Sequence, residues 1–242
     1  MPMLSMLESR ADLSDEARRA LLALPCIVRT LDAGAYIARE GDVIDRCLVL
    51  AEGMTYHHRV VGNGGRQITG FRMAGEVLIP PFSPGQRLGY NVQALTKAKV
   101  VSIEREALDA FAQHHADFWR AMWTAALADL SGLREGLATL GRRDARERTA
   151  HLLCWFYVKQ RGLGMVEGNS FNLPLTQEQL ADMIGLTPVH VNRTLKQLES
   201  EGLIVRKVRD VTIPDWAALA TAGDFDPEYL RLKKRDGSAD IR

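Results

Sequence analysis

The chain lacks a long apolar run: nothing in its 242 residues approaches the roughly 18 uninterrupted apolar positions that a membrane helix requires. It also lacks a cysteine framework. Cys26, Cys47 and Cys154 are three, widely spaced, and form no CxxC pair, which excludes a disulfide scaffold and a zinc finger of ordinary spacing. Reduced, partly buried thiols are expected. Strong charge of one sign is missing too, the formal net charge being +1. That neither supports nor opposes nucleic-acid binding, because counterion release depends on the local patch that meets phosphate. The first residues, MPMLSMLESRADLSDEARRALLAL, mix acids and arginines among leucines. They read as an amphipathic helical entry and not as a signal peptide, and a cytoplasmic location is expected.

What is present falls into three textures. From about Arg29 to Arg105, short Val-, Ile- and aromatic-containing runs are separated by EGD, EG, GNGG and AGE. That pattern predicts short strands and tight turns, an all-β roll or barrel. GNGG is a hairpin signal, since its glycines accept positive φ. PPFSPGQRLG, with three prolines, is expected to be a loop, and NVQALTKAKVVSIER a closing strand.

From Asp117 to Leu140 there is no proline, and Trp119, Trp123, Ala126, Leu130, Leu133, Leu137 and Leu140 recur at alternating spacings of four and three. This is a heptad seam. At about 1.5 Å per residue the helix is roughly 36 Å long, and a seam so narrow asks for a partner helix, most simply its own copy across a two-fold axis. The alternative is a core helix within one subunit. Met122 and Leu127 lie off the seam and could pack on the roll. A further helix is expected after Gly141, with a stripe at Ala145, Thr149, Leu152, Leu153 and Phe156; GLGMVEGNSFN follows as a glycine-rich turn region. These textures set the expected domains: a roll with an N-terminal helix over 1–115, a dimerisation helix over 116–141, and a last domain over 142–242, hinged near Gly141.

The most specific text is LPLTQEQLADMIGLTPVHVNRTLKQLESEGLI. Thr176 and Gln179 form a capping box, Gly185 a left-handed stop, and Thr187 with Pro188 a second helix start. Two capped helices around a short turn make a helix-turn-helix. In the second helix Val191, Leu195 and Leu198 share one side, and Val189, Arg193, Lys196 and Ser200 the other, with His190 and Asn192 flanking. Outward residues of the first two turns are those a recognition helix presents to base edges. Arg193 suits the guanine O6/N7 pair and Val189 a thymine methyl, while Thr176, Gln177 and Thr187 suit phosphate at helix N-termini. GLIVRKVRDVTIPDW then reads as a hairpin, Leu203 to Lys207 and Val211 to Ile213, turning near Arg209–Asp210. Its Arg206, Lys207 and Arg209 make a basic wing, or else a solvated charged turn.

These residues resemble the family of the cyclic-AMP receptor protein and the fumarate-nitrate reduction regulator, the Crp/Fnr family. The likeness is densest over LTQEQLADMIGLTPVHVNRTLKQLESEGLI, with Arg193 at the position of the main base-reading arginine. It extends to Glu40–Asp42, Glu52–Gly53, Gly65–Ile68 and Gly75–Glu76, and so covers nearly the whole chain. It implies an α+β chain: a cyclic-nucleotide-binding-like β-roll (jelly roll), a long dimerisation helix, and a C-terminal winged helix-turn-helix. It further implies a homodimer that binds a pseudo-palindromic site in double-stranded DNA and recruits or blocks RNA polymerase.

The effector is left open by the same resemblance. Nucleotide-binding relatives resemble GE…RxAxV, and Gly75, Glu76, Arg87 and Asn91 are the candidate pocket residues here. Aligning NVQAL, however, puts Leu88 and Gly89 where an arginine and a serine or threonine are expected, with Arg87 one residue early. Cyclic-nucleotide binding is therefore not expected. Neither is an iron–sulfur cluster, which takes about four thiolates. Haem would need His57, His58, His114 or His115, but neighbours in an alternating strand face opposite ways, and surface or internally satisfied histidines are expected. A metal-dependent cupin-like enzyme would need HxH spacing, which His57–His58 does not have, and no nucleophile elbow, phosphate loop or HExxH occurs. A ligand-binding module without DNA contact is the remaining rival, and the basic wing with Arg193 speaks against it.

Overall fold

The computed structural model describes residues 2–8, 12–80 and 87–231, so most of the proline-rich loop expected over PPFSPGQRLG lies outside the described residues. The chain divides into two compact units, Met1–Leu130 and Ser131–Arg242.

The first unit opens with α1 (Pro2–Glu8) and α2 (Asp15–Leu22), then eight strands: β1 (Cys26–Leu31), β2 (Tyr36–Ala38), β3 (Arg46–Glu52), β4 (Met54–Val60), β5 (Arg66–Met73), β6 (Val77–Ile79), β7 (Asn91–Ala94) and β8 (Ala98–Glu104). They form two antiparallel four-stranded sheets, ordered β1-β8-β3-β6 and β2-β7-β4-β5. The period-two rule explains why β3 reads as a near-continuous apolar run. Cys47, Val49 and Ala51 face the helical layer with Val101 and Ile103. Leu48 and Leu50 face the roll interior with Val92, Ala94 and Val100. A strand buried on both faces cannot show polar alternation. Replacing fully buried Ile103 by Ala would cost about 2–5 kcal/mol through lost packing and the cavity left behind.

Turn chemistry holds the sheets in register. The GNGG segment joins β4 to β5, which pair from Met54↔Met73 to Val60↔Arg66. Gly53 has φ +88, and a Cβ there would sit 2.2 Å from the Lys97 carbonyl oxygen, so both backbone shape and space demand glycine. The single closing strand expected over NVQALTKAKVVSIER is two strands. Leu95–Lys97 breaks it, because the Met54 N–H donates to Thr96 Oγ1 (2.9 Å) and the Met54 carbonyl accepts from Leu95 N (2.8 Å).

Helices α3 (Arg105–His114) and α4 (Ala116–Arg142) follow. The first turns of α4 bury Phe118, Ala121 and Met122 in the helical layer of the first unit, where Asp117 accepts from Ser14 N at 2.7 Å. Gly141, near which a hinge was expected, lies within α4. The helical text breaks two residues later. Asp144 caps α5 (Ala145–Gly162), its side chain accepting from Glu147 N while Glu147 returns to the Asp144 N–H.

In the second unit α5 is buried on most sides and carries Thr149, Leu152, Leu153 and Phe156 into the core. Around it lie α6 (Gln177–Ile184), α7 (Pro188–Ser200), α8 (Trp216–Ala222) and a three-stranded sheet of order β10-β11-β9. Its strands are β9 (Ser170–Asn172), β10 (Val205–Lys207) and β11 (Asp210–Thr212). Strand β9 corrects the reading of GLGMVEGNSFN as turn alone: Phe171 is buried opposite Val211, the one apolar side chain between polar neighbours.

Candidate nucleic-acid interface

Helix α6 begins at Thr176, whose Oγ1 accepts from Gln179 N (3.1 Å) while Gln179 Oε1 accepts from Thr176 N (2.9 Å). It ends at Gly185 with φ +66, where a bulkier residue would meet strained backbone and the Leu140 side chain, 3.2 Å from the position of a Cβ. The Leu186 N–H then donates to the Ala181 carbonyl (3.1 Å), and Thr187 caps α7 by accepting from His190 N (3.3 Å). Pro188 occupies the first helical position, where an N–H is not needed. Val191, Leu195 and Leu198 are buried with Leu180, Ala181 and Ile184. That packing leaves the opposite side of α7 in solvent: Val189 is 81% exposed, and Arg193, Lys196 and Ser200 are exposed beside half-buried His190 and Asn192. Thr176, Gln177 and Thr187 are exposed at the two helix starts.

Two arginines of α5 hold this pair of helices, and sequence reasoning missed both. Arg148 Nη1 donates to the Ile184 carbonyl (3.1 Å), satisfying an acceptor that the end of α6 would otherwise leave open. Arg146 grips Glu201 just past α7 with Nε (2.8 Å) and Nη2 (2.6 Å) on one oxygen, and this contact pulls the Glu201 carboxyl below the usual range. The signal was the basic run RRDARER, whose charges lie off the apolar stripe.

The wing forms, but its tip is shifted. Lys207↔Asp210 is the last pair of β10 and β11, so the turn is Val208–Arg209 and not Arg209–Asp210. Lys207 and Arg209 are exposed. Arg206 is half-buried and engaged within the protein: its Nη2 donates to Glu199 Oε2 of α7 at 2.8 Å, and this bond lowers the Glu199 pKa. A half-buried carboxylate on the preceding helix outcompetes solvent for it.

Along α4, Trp119, Trp123, Ala126, Leu130, Leu133 and Leu137 form a row that the single chain leaves partly or largely in solvent, Trp123 at 68% and Leu137 at 74% exposure. Leu140 departs from that row, half-buried with its Cδ2 against Gly185.

The four candidate pocket residues are engaged separately. The Gly75 N–H donates to the Leu50 carbonyl (2.7 Å), and Glu76 Oε2 accepts from Met73 N (2.8 Å). Arg87 Nη1 donates to the Gly41 carbonyl (3.0 Å), while Asn91 accepts from Glu40 N (3.1 Å) and donates to the His58 carbonyl (3.3 Å). A different polar group lies on the inward face of β4 and β5. Thr55 opposes Arg72, and His57 opposes Gly70. Among the described residues Thr55 Oγ1, His57 Nε2 and Arg72 Nε are buried without a hydrogen-bond partner. Arg72 Nη2 reaches Asp129 Oδ2 of α4 at 2.9 Å, and the His57 ring lies 4.8 Å from that of Tyr90. Burial, then the Arg72 charge, holds His57 well below its ordinary pKa. His57 and His58 are thus both buried, so of the two expected alternatives the surface one does not hold for this pair; the His57 ring lies by Tyr90 and the His58 ring by Tyr56, on opposite sides of the strand. Cys47 and Cys154 are buried and Cys26 is exposed; burial pushes the Cys47 thiol up to about 12. Among the described residues no group of three or more His, Cys, Asp or Glu could hold a metal, and no helix is long and apolar enough to cross a membrane.

A β-roll followed by a capped helix pair with a wing defines a class, the sensor-plus-winged-helix regulators of transcription. Two family models match in that order: a cyclic nucleotide-binding domain over residues 28–115 and a Crp-like helix-turn-helix domain over 147–222. The transcriptional activator protein FnrL of Cereibacter sphaeroides is 29% identical over 201 residues, covering 81% of this chain and 80% of its own. The nitrogen fixation regulation protein FixK of Azorhizobium caulinodans is 27% identical over 200 residues, covering 80% of each. The structure of FixK2 from Bradyrhizobium japonicum superposes with a TM-score of 0.73 at 22% identity, over 82% of this chain and 98% of that one. The chain belongs to the Crp/Fnr family of transcription regulators.

Proposed function

We propose that the protein binds a pseudo-palindromic promoter site as a homodimer, laying α7 of each copy in successive major grooves. The observation that carries this reading is the exposed row Val189, Arg193 and Lys196 on a helix capped at its start and gripped at its end. Arg193 would read guanine, Val189 a thymine methyl, with His190 and Asn192 beside them. Thr176, Gln177, Thr187, Lys196, Lys207 and Arg209 would hold phosphates, each at a surface position. The partner copy would cover the row from Trp119 to Leu137, and so bring the two recognition helices to a half-site spacing of about 34 Å. RNA polymerase is the partner such a site would serve, in the cytoplasm.

An effector would act by shifting the population of DNA-competent dimers. Buried, unpaired Thr55 Oγ1, His57 Nε2 and Arg72 Nε support the roll interior as its place better than Arg87, which is spent on the Gly41 carbonyl. The test is a gel shift with promoter duplex at rising salt. A steep loss of affinity between low and moderate salt is expected, and the absence of any shift at low salt would refute the proposal.

A further inference from the structure

Val208, at the tip of the wing, has a chemistry that the functional reading leaves unused. It is 99% exposed and has φ +59, the left-handed region that a β-branched residue rarely enters. A two-residue hairpin connection favours Asn, Asp or Gly at such a place. The chain instead keeps an apolar, branched side chain there, at a cost in stability, and among the described residues nothing covers it.

The tip is rigidly mounted. Strand β11 is zipped to β9 by Ser170 Oγ against Thr212 Oγ1 (2.6 Å) and by Asn172 Nδ2 to Asp210 Oδ1 (3.0 Å). Strand β10 is tied to the recognition helix by the Arg206–Glu199 pair. Flanking the tip, Lys207 and Arg209 are exposed, and neither has a carboxylate within ion-pair distance among the described residues. A small apolar point between two available cations, on a fixed mount, matches the rim of a minor groove. The cations would meet the phosphates on either side, and the two methyls would meet deoxyribose and the base edges between them.

We infer that Val208 enters the minor groove of double-stranded DNA beside each half-site. The contact rests on the DNA-binding reading above and adds to it a second point of sequence discrimination, sensitive to groove width and to the guanine amino group. Apolar wedges of this kind work best where the groove floor carries no protruding amino group, so A·T flanks are favoured.

The experiment uses the full-length protein and a promoter duplex it binds, with base analogues placed only in the flanks. Inosine for guanine removes the minor-groove amino group, and 2,6-diaminopurine for adenine adds one; both keep the major-groove acceptor and donor pattern that Arg193 would read. For the parent, diaminopurine in A·T flanks should weaken binding by about threefold or more, and inosine in G·C flanks should strengthen it. Val208→Asn fits the turn better, so its thermal midpoint should stay level or rise. Its affinity should nevertheless fall severalfold, and both analogue effects should vanish, while the preference at the Arg193 base is kept. Equal analogue effects in parent and Val208→Asn, or none in either, would overturn the wing-tip contact and leave the recognition helix standing. Failure of the parent to bind any promoter duplex would overturn both.

Discussion

Arg193 and His190, one turn apart on α7, are joined by a 3.0 Å contact between guanidinium Nη2 and imidazole Nε2. Arginine has only donors, so Nε2 must accept and the ring proton must sit on Nδ1. The imidazole thus braces a long side chain that would otherwise sample many rotamers, and ordering it in advance lowers the entropy cost of binding.

His190→Ala should therefore weaken promoter binding by about threefold to tenfold and blur the preference at the Arg193 base, as loss of one ordered side chain implies. His190→Gln, which can still offer an acceptor, should recover part of both. Equal affinity and equal base preference in the alanine variant would mean that the brace has no role.

Arg148 closes the end of α6 through the Ile184 carbonyl, and its Nε donates to the Arg143 carbonyl at 2.8 Å. Arg148→Ala should destabilise the protein by about 1–3 kcal/mol, since it leaves partly buried acceptors unmet. Urea unfolding followed by circular dichroism would measure this, and an unchanged midpoint would refute the assignment.

Two buried histidines give stability a pH dependence. His57 is held well below its ordinary value by burial, then by Arg72 and His58; His151 is lowered by burial and then by Arg143, despite its bond to the Gly223 carbonyl. Unfolding frees each ring to take up a proton near pH 6.5. Their contribution is complete above that pH and is lost as pH falls from there toward the folded values, by up to about 1.4 kcal/mol per pH unit for each ring. Thermal unfolding at pH 7.5 and 5.5 should show the loss. His57→Phe and His151→Phe should each flatten it, and a pH response in either variant as steep as the parent's would contradict the linkage for that ring.

Much of this architecture is legible before any coordinates. Thr176, Gln179, Gly185, Thr187 and Pro188 each make a local backbone bond or fill a local backbone requirement, so their meaning sits within four residues of text. The wing tip falls one position earlier than its letters suggest because Val208 is a poor turn former, and local chemistry points to Arg209–Asp210. Strand β9 and the split between β7 and β8 depend on partners far along the chain, Val211 and Met54, which no local pattern reveals. The same holds for Arg206, Arg146 and Leu140: their charges and methyls are visible, but which neighbour claims them is not. His57 and His58 left surface and interior open because a strand covered on both faces cannot be told from a half-exposed one by two polar letters.

The exposed row on α4 makes its own prediction. Leu130→Asp with Leu133→Asp introduces charge where a partner helix would exclude water, without touching the buried Phe118, Ala121 and Met122. Sedimentation velocity should show a dimer become a monomer, with promoter affinity falling sharply as the second half-site contact is lost. An unchanged sedimentation coefficient would show that the row serves something other than self-association.

The central claim is that the outward side of α7 reads base pairs, and Arg193→Ala tests it most directly. Selection of half-sites from a randomised duplex pool should yield a defined base opposite Arg193 for the parent and near-equal bases for the variant, with affinity lower by about 1–3 kcal/mol per half-site. The same selected sequence and the same affinity from both proteins would contradict the account.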